Sequence, residues 1–149
     1  MVVSRQVGID ITGPAWLSSS CKRKLMKLDT PILFAATTDS KQSRKFYEET
    51  LRLRFVADDP FALVFRIGRI QLRIQKVKRK PRISYTVLGW AVTDIQKTVR
   101  QLSKEGVRFM RYDGLGQDAD GIWLAPGGAQ VAWFRDPDDN ILSLTEYPR

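Results

Sequence analysis

The feature that most constrains this chain is a pattern that occurs twice, 55 residues apart. A short apolar run at residues 31–38 ends at Asp39, and an amphipathic segment follows it. A second run at residues 85–93 ends at Asp94 and is again followed by an amphipathic segment. Aspartate at such a junction is a common N-cap, because its carboxylate accepts hydrogen bonds from the free amides of the first helical turn. A pattern that repeats along the chain is stronger evidence for a fold than the prediction of any single helix or strand. We therefore expect two copies of one structural unit.

Each copy reads as a strand, a helix and three further strands. Apolar residues at 3–4 spacing predict helices at residues 40–51 and 95–105. The further strands are predicted at residues 53–57, 61–67, 69–76, 107–111, 129–135 and 140–147. The predicted fold class is therefore α+β, with tandem βαβββ modules at about residues 30–76 and 84–147. We expect the modules to pair edge to edge in a cupped, curled mixed sheet whose concave face holds the function. A generic α+β domain with accidental internal similarity is the alternative.

Composition removes several classes of chemistry. The chain has 149 residues and is 43% hydrophobic, which is enough to bury a core, and it has no apolar run long enough to span a membrane. It contains no histidine, the commonest general base and transition-metal ligand. Cys21 is the single cysteine, so an intrachain disulfide is impossible and a cytoplasmic location is expected. The formal charge of +9 favours anionic partners.

The N-terminal residues differ from the rest of the chain. Residues 1–27 show no useful period and include a serine-rich, basic stretch, so we expect a flexible basic extension before a domain at residues 28–149. A targeting segment and a docking arm are the alternatives for this extension. Met26 as the functional start also remains open.

Two motifs carry a family resemblance. Asp39, Ser43, Phe46 and Tyr47 follow a short strand at a spacing that resembles the opening of the vicinal oxygen chelate superfamily, which includes glyoxalases, bleomycin-resistance proteins and extradiol dioxygenases. Residues 133–144, with the run Asp-Pro-Asp-Asp-Asn, resemble its closing signature. The resemblance covers roughly residues 28–148 and implies a glyoxalase-like domain. It also implies a homodimer with ligand sites at the subunit junction.

The resemblance further implies a divalent metal on the concave face, held by one residue from each of four strands. The corresponding positions here are Ile32, Gln71, Val87 and Ser143, with a shift of two residues left open for Gln71. Three of these side chains cannot supply the expected His or Glu ligands. We therefore expect no metal and no other cofactor, and so no glyoxalase or dioxygenase chemistry that depends on one.

Strand alternation assigns six residues to a ligand-binding concave face. The set combines apolar walls, polar groups and one cation that suits a carboxylate or phosphate: Ile32, Phe34, Gln71, Arg73, Val87 and Ser143. An arginine paired with a carboxylate is the alternative for Arg73. Trp123 and Trp133 are expected in the core or an interface, although either could stack on a planar ligand.

The leading functional hypothesis is a metal-free protein that binds a small, anionic or neutral, partly apolar ligand, with catalytic residues unknown. A metal-independent lyase or isomerase of the same superfamily is the alternative. A third hypothesis is nucleic-acid binding through the basic residues 22–27 and 76–82. Because no aromatic platform accompanies that run in the sequence, a solvated connector is the simpler interpretation. Neither a nucleic acid nor a membrane is expected as a partner.

Overall fold

The computed structural model describes residues 28–149, so the predicted extension at residues 1–27 lies outside the described part of the chain. The elements are listed in chain order: β1 Ile32–Thr37, α1 Ser40–Lys45, a π-helical turn Phe46–Thr50, β2 Arg54–Asp58, β3 Ala62–Ile67, β4 Ile70–Lys76, β5 Thr86–Ala91, α2 Ile95–Lys104, β6 Trp123–Leu124, β7 Gln130–Arg135 and β8 Ile141–Glu146. No helix in this part of the chain is long and apolar enough to cross a membrane.

The predicted duplication is confirmed in the topology. One sheet has the strand order β1-β4-β3-β2, and the other has the equivalent order β5-β8-β7-β6. In each sheet the first strand pairs in parallel with the last strand, and the remaining pairs are antiparallel. β1 and β5 contact each other, so the two sheets meet along their equivalent strands. The α+β class and the tandem βαβββ modules are therefore correct, and the sheets form no closed barrel.

Both predicted N-caps are present. The Asp39 carboxylate accepts a hydrogen bond from the Gln42 amide at 3.1 Å, and the Asp94 carboxylate accepts one from the Lys97 amide at 2.9 Å. At the other end of α2, Gly106 has a φ of +91°, a left-handed conformation that ends the helix at little cost for glycine. Local capping chemistry thus fixes where both helices begin.

Two predicted elements differ from the structure, and one strand was not predicted. The helix expected at residues 40–51 changes after Lys45 into a π-helical turn, in which the Leu51 amide donates to the Phe46 carbonyl. The strand expected at residues 107–111 is reduced to a single bridge between Phe109 and Phe134. The second strand of the second module is instead the two-residue β6, which pairs with the start of β7. Such a short strand has no readable period.

The face expected to pack against the helices forms the core. Its members alternate with the concave residues along the strands: Leu33, Ala35, Leu72, Ile74, Leu88, Trp90, Val92, Leu142 and Leu144 all belong to the main apolar cluster or pack against it. Ile95 and Val99 of α2 are buried there too, and Leu102 packs at the edge. This agreement supports the strand parity from which the concave face was deduced, except at Val87, which lies at the β5–β8 register shift and packs against the same apolar cluster.

Candidate functional site

The concave face is built from neighbouring strands whose paired residues point the same way. Phe34 pairs with Arg73 between β1 and β4, and Gly89 pairs with Ser143 between β5 and β8. Val87 lies where the β5–β8 register shifts. The structure therefore places Phe34 and Arg73 on the first half of the face, and Ser143 on the second.

Two apolar residues on the concave side of β1 are unusually exposed. Ile32 pairs with Gln71, and Ile32 and Phe34 expose 47% and 49% of their surface. Ser143 is buried, whereas Gln71, Arg73 and Val87 are partly buried. None of five grooves found on the described part of the chain is lined by any of the six candidate residues. The concave side of a single chain is thus an open surface with exposed apolar groups rather than a closed pocket.

Arg73 is not a free cation. One of its guanidinium nitrogens donates to the Asp59 carboxylate at 2.7 Å, and both side chains are about one-third exposed or less. The amide of Phe61 and the Arg73 guanidinium hold the pKa of Asp59 below its ordinary value. Asp59 is therefore an ionised partner that neutralises Arg73 and a weak proton acceptor. The pairing matches the alternative interpretation of Arg73.

Aromatic side chains line the second half of the face. Trp133 pairs with Ser143, and Trp123 pairs with Val131 one step along the sheet, so both indoles lie on the concave side. Their ring centroids are 5.9 Å apart, and Tyr112 meets Trp133 edge-to-face at 5.4 Å. Both tryptophans are only partly buried. The sequence prediction left both tryptophans out of the site. Strand alternation in the closing hairpin could have placed Trp133 on the same face as Ser143.

Gly89 lies next to this aromatic wall, because it pairs with Ser143, which pairs on its other side with Trp133. A Cβ atom on Gly89 would lie 2.4 Å from the Ser143 hydroxyl oxygen, so only glycine fits there without movement. Gly89 is exposed, whereas Ser143 is buried. Gly89, Ser143 and Trp133 thus lie side by side on the second half of the concave face.

The residues at the superfamily's metal positions do not fit a metal. Phe34 and Gly89 are 55 residues apart, and their partners on β4 and β8 are Arg73 and Ser143. Arg73 therefore occupies the position in β4 that is equivalent to Ser143, two residues beyond Gln71. A guanidinium, two hydrocarbon side chains and one hydroxyl form no ligand set for a divalent cation. Within residues 28–149, no group of three or more His, Cys, Asp or Glu side chains could hold one.

The closing turn joins the modules through buried carboxylates. The Asp138 carboxylate accepts hydrogen bonds from the Thr38 amide and hydroxyl, both at 2.7 Å, from the Thr37 hydroxyl at 2.7 Å and from the Ser43 hydroxyl at 3.2 Å. The neighbouring Asp136 carboxylate accepts from the Tyr47 hydroxyl at 2.6 Å. Asp138 thus ties the β1–α1 junction of the first module to the last hairpin of the second.

Asn140 completes the same network. Its amide nitrogen donates to Asp136 at 2.6 Å and to the Ala36 carbonyl of β1 at 2.7 Å. Asp139, where the superfamily usually has glycine, has a φ of +66°. Asp accepts this left-handed conformation at a modest cost, as the turn chemistry predicted. The opening and closing motifs are therefore two halves of one buried connection.

The connection shifts the pKa of each ionisable member. Burial raises the pKa of Asp136, and hydrogen bonds from Tyr47 and Asn140 oppose that effect only in part. Burial acts on Asp138 in the same direction, but its hydrogen bonds from Thr38, Thr37 and Ser43 outweigh it and hold the pKa below the ordinary value. Burial and the negative charge of Asp136 raise the pKa of Tyr47 well above its ordinary value.

Comparisons with solved structures identify the same architecture elsewhere. A superfamily member from Sphaerobacter thermophilus is 25% identical, with a TM-score of 0.65 over 82% of this chain and 99% of that one. TnmS3, an antibiotic binding protein from Streptomyces sp. CB03234, is 21% identical, with a TM-score of 0.64 over 83% of this chain and 100% of its own. A glyoxalase family protein from Bacillus anthracis is 15% identical, with a TM-score of 0.63 over 80% of this chain and 94% of its own.

Neither a protein-family model nor a curated protein matches the sequence. The structural likeness nevertheless spans both modules and includes the two motifs, which meet in the closing connection. The chain therefore has the fold of the glyoxalase/bleomycin resistance protein/dioxygenase superfamily, the vicinal oxygen chelate superfamily that its motifs resemble.

Proposed function

We propose that the protein binds a small, partly apolar, planar ligand on its concave face without using a metal. The observation that carries this proposal is the aromatic wall of Trp123 and Trp133 on the concave face, next to the paired residues Gly89 and Ser143. Partly buried indoles offer a large flat surface for stacking, and the Ser143 hydroxyl offers one directional polar contact. TnmS3, an antibiotic binding protein with the same fold, supports small-molecule binding as a role of this fold.

The pairing of Arg73 sets the expected charge preference. Because Asp59 neutralises Arg73, we expect neutral and weakly anionic ligands to bind with similar affinity. The guanidinium uses one nitrogen for Asp59 in this structure and retains other N–H donors for a ligand oxygen. Cationic ligands face the +9 charge of the whole chain and are expected to bind most weakly.

Tryptophan fluorescence titration with naphthalene-2-carboxylate, 2-naphthol and 2-naphthylmethylamine tests the proposal. We expect Trp133→Leu to weaken binding of the first two probes about tenfold or more, because stacking on one aromatic group contributes roughly 1–3 kcal/mol. The control is Phe61→Leu. Phe61 is an exposed aromatic residue, and strand alternation places it on the helix side of the sheet and not on the concave side. Equal loss in the two variants, or binding indifferent to both, would exclude the concave face as the site.

We further propose that two copies of the chain pair, which closes the open face. The half-exposed side chains of Ile32 and Phe34 are the supporting observation, since exposed apolar groups side by side are typical of interfaces. Light scattering is expected to give a dimer for the parent and for Phe61→Asp, and a monomer for Phe34→Asp. A monomeric parent, or a dimeric Phe34→Asp variant, would contradict this arrangement. A cytoplasmic location is part of the same proposal, and it rests on the single cysteine alone.

The alternative, a metal-independent lyase or isomerase, has less support. Such chemistry needs a general base whose pKa lies near the working pH. Asp59 is the carboxylate beside the concave Arg73, and its pKa is shifted downward, away from that range. The concave residues Phe34, Ser143 and Trp133 offer no nucleophile paired with a base. Ligand binding is therefore the better-supported function.

A further inference from the structure

Two grooves meet at the closing turn. The first, of about 750 Å³, lies between the connector that joins the modules and the turn, and Lys80, Arg82 and Arg135 line it. The second, of about 460 Å³, contains Arg108 and again Arg135. Because Arg135 lines both grooves, it links their cations into one set, which we call the basic strip: Lys80, Arg82, Arg135 and Arg108. Lys78 and Arg79 of the connector are exposed beside it.

The strip keeps most of its positive charge. Among the described residues, neither Arg82 nor Arg108 has an ion-pair partner within 4.0 Å, whereas Lys80 lies 3.6 Å from the exposed Asp139 carboxylate. Arg135 donates to a backbone carbonyl, that of Asp139, at 3.0 Å. Asp136 also lines the second groove, but its carboxylate is buried in the closing connection. One exposed carboxylate therefore faces four cations, which favours a partner with several negative charges.

Aromatic side chains accompany the cations in the second groove. Phe46 and Phe109 line it together with Arg108 and Arg135. Both rings are partly exposed, and they come from the first and second modules respectively. The basic connector at residues 76–82 contains no aromatic residue. The fold brings Phe46 and Phe109 to the basic strip from other parts of the chain. Cations that follow a groove with aromatic faces beside them are the arrangement that binds single strands.

We propose that the basic strip binds single-stranded nucleic acid, with phosphates on Lys80, Arg82 and Arg135 and a base against Phe109. A duplex is disfavoured, because the four cations lie on the connector, at the end of β7 and on an extended segment, and none of them lies on a helix that could enter a major groove. A membrane surface is disfavoured as well, because the aromatic side chains Phe46 and Phe109 are partly buried and pack against the core.

Fluorescence anisotropy with the full chain and labelled U20 RNA, dT20 DNA and a 20-base-pair duplex tests the proposal at 50–200 mM KCl. The variant Arg82→Gln/Arg108→Gln/Arg135→Gln removes three cations of the strip. The control Lys41→Gln/Lys97→Gln/Lys104→Gln removes three exposed helical cations and has the same net charge. Both variants retain the N-terminal basic residues, so that segment contributes equally. Melting temperatures confirm that each variant folds, and Arg82→Glu alone provides a second, less invasive change.

We expect single strands to bind the parent and the control alike, and the strip variant at least tenfold more weakly. Each phosphate contact to a single strand contributes about 0.7 to the slope of log K against log salt, so losing the two contacts assigned to Arg82 and Arg135 should lower that slope by about 1.4. Phe109→Leu should weaken binding about fivefold without changing the slope, because stacking is not ionic. Equal losses in the two triple variants, tighter duplex binding, or binding to phosphatidylserine vesicles in place of RNA would overturn the proposal.

Discussion

Replacing Asp138 by asparagine tests whether the closing connection holds the two modules together. The change preserves the size of the side chain and removes its charge. Asparagine can still accept from the Thr38 amide, but its NH₂ group then faces the Thr37 and Ser43 hydroxyls, which now donate to the carboxylate. The Thr37 hydroxyl oxygen, which already accepts from the Asp39 amide at 3.0 Å, could accept from that NH₂ group as well, but its own O–H would then lose its acceptor.

The expected cost follows from the number and type of these bonds. A hydrogen bond to a charged group contributes about 1.5–3 kcal/mol, and a neutral one about 1 kcal/mol. Loss of the charge on four buried bonds, with partial reorientation, should lower the free energy of unfolding by about 3 kcal/mol. For a domain of this length that corresponds to a fall in Tm of roughly 6–12 °C. Urea unfolding should show a lower midpoint with an unchanged m-value.

Asp139→Asn is the matched control. Asp139 is the next residue in the same turn, is exposed, and has a left-handed φ of +66° that asparagine also tolerates. We expect this variant to stay within about 0.5 kcal/mol of the parent. A loss below about 1 kcal/mol for Asp138→Asn, or an equal loss for both variants, would refute the claim that Asp138 joins the modules.

The pH dependence gives a second readout of the same variant. The folded-state pKa of Asp138 lies below its unfolded value of about 3.9, so its stabilising contribution is present above that pH and is lost as the pH falls through the folded value. The difference in unfolding free energy between the parent and Asp138→Asn should therefore shrink as the pH falls below about 4. Asp136, whose pKa is raised, contributes stability at low pH that is lost as the pH rises through its folded value. Because both proteins contain Asp136, that effect largely cancels in the difference.

Three other outcomes are expected. Arg52→Gly should stabilise the fold by about 1 kcal/mol in urea unfolding, because Arg52 has a left-handed φ of +58° that glycine adopts without strain. The side chain makes only an exposed ion pair to Glu105 at 3.7 Å, so a loss of stability would mean that this ion pair matters more than the strain. Tyr47→Phe should cost about 1.5–3 kcal/mol in the same assay by removing the buried hydrogen bond to Asp136; no change would show that Asn140 alone satisfies the carboxylate. Elemental analysis of the purified protein should find no stoichiometric Zn, Ni, Mn or Fe. A metal bound at unit occupancy on the concave face would contradict the conclusion that Ile32, Arg73, Val87 and Ser143 form no ligand set.

The fold could be predicted because its signals are local and repeated. Asp39 and Asp94 mark equivalent helix starts, and alternation along each strand separates core from concave residues. The π-helical turn after Lys45 was missed, because it depends on how Phe46 and Tyr47 pack against the core rather than on spacing.

The candidate site could be predicted only as a face. Strand alternation placed Phe34 and Arg73 on the same side of the sheet. The neutralisation of the Arg73 charge depends on Asp59, which a turn brings into contact with it from 14 residues away. Asp138 meets Thr37 across 101 residues, and no pattern within either module indicates that contact. Sequence periodicity specifies the direction of a side chain relative to its own strand. Its partners depend on how distant segments are assembled.

The positions of the motif residues explain how the superfamily signature persists in a chain without the metal ligands. Ser43 and Tyr47 of the opening motif donate to Asp138 and Asp136 of the closing motif, so the signature consists of side chains that hold the modules together. The metal positions lie on the concave strands and are chemically independent of this connection. A different side chain at those positions would therefore leave this connection between the modules intact. It follows that the motifs report the fold, and that the function must be inferred from the surfaces themselves, beginning with Trp133 and its neighbours.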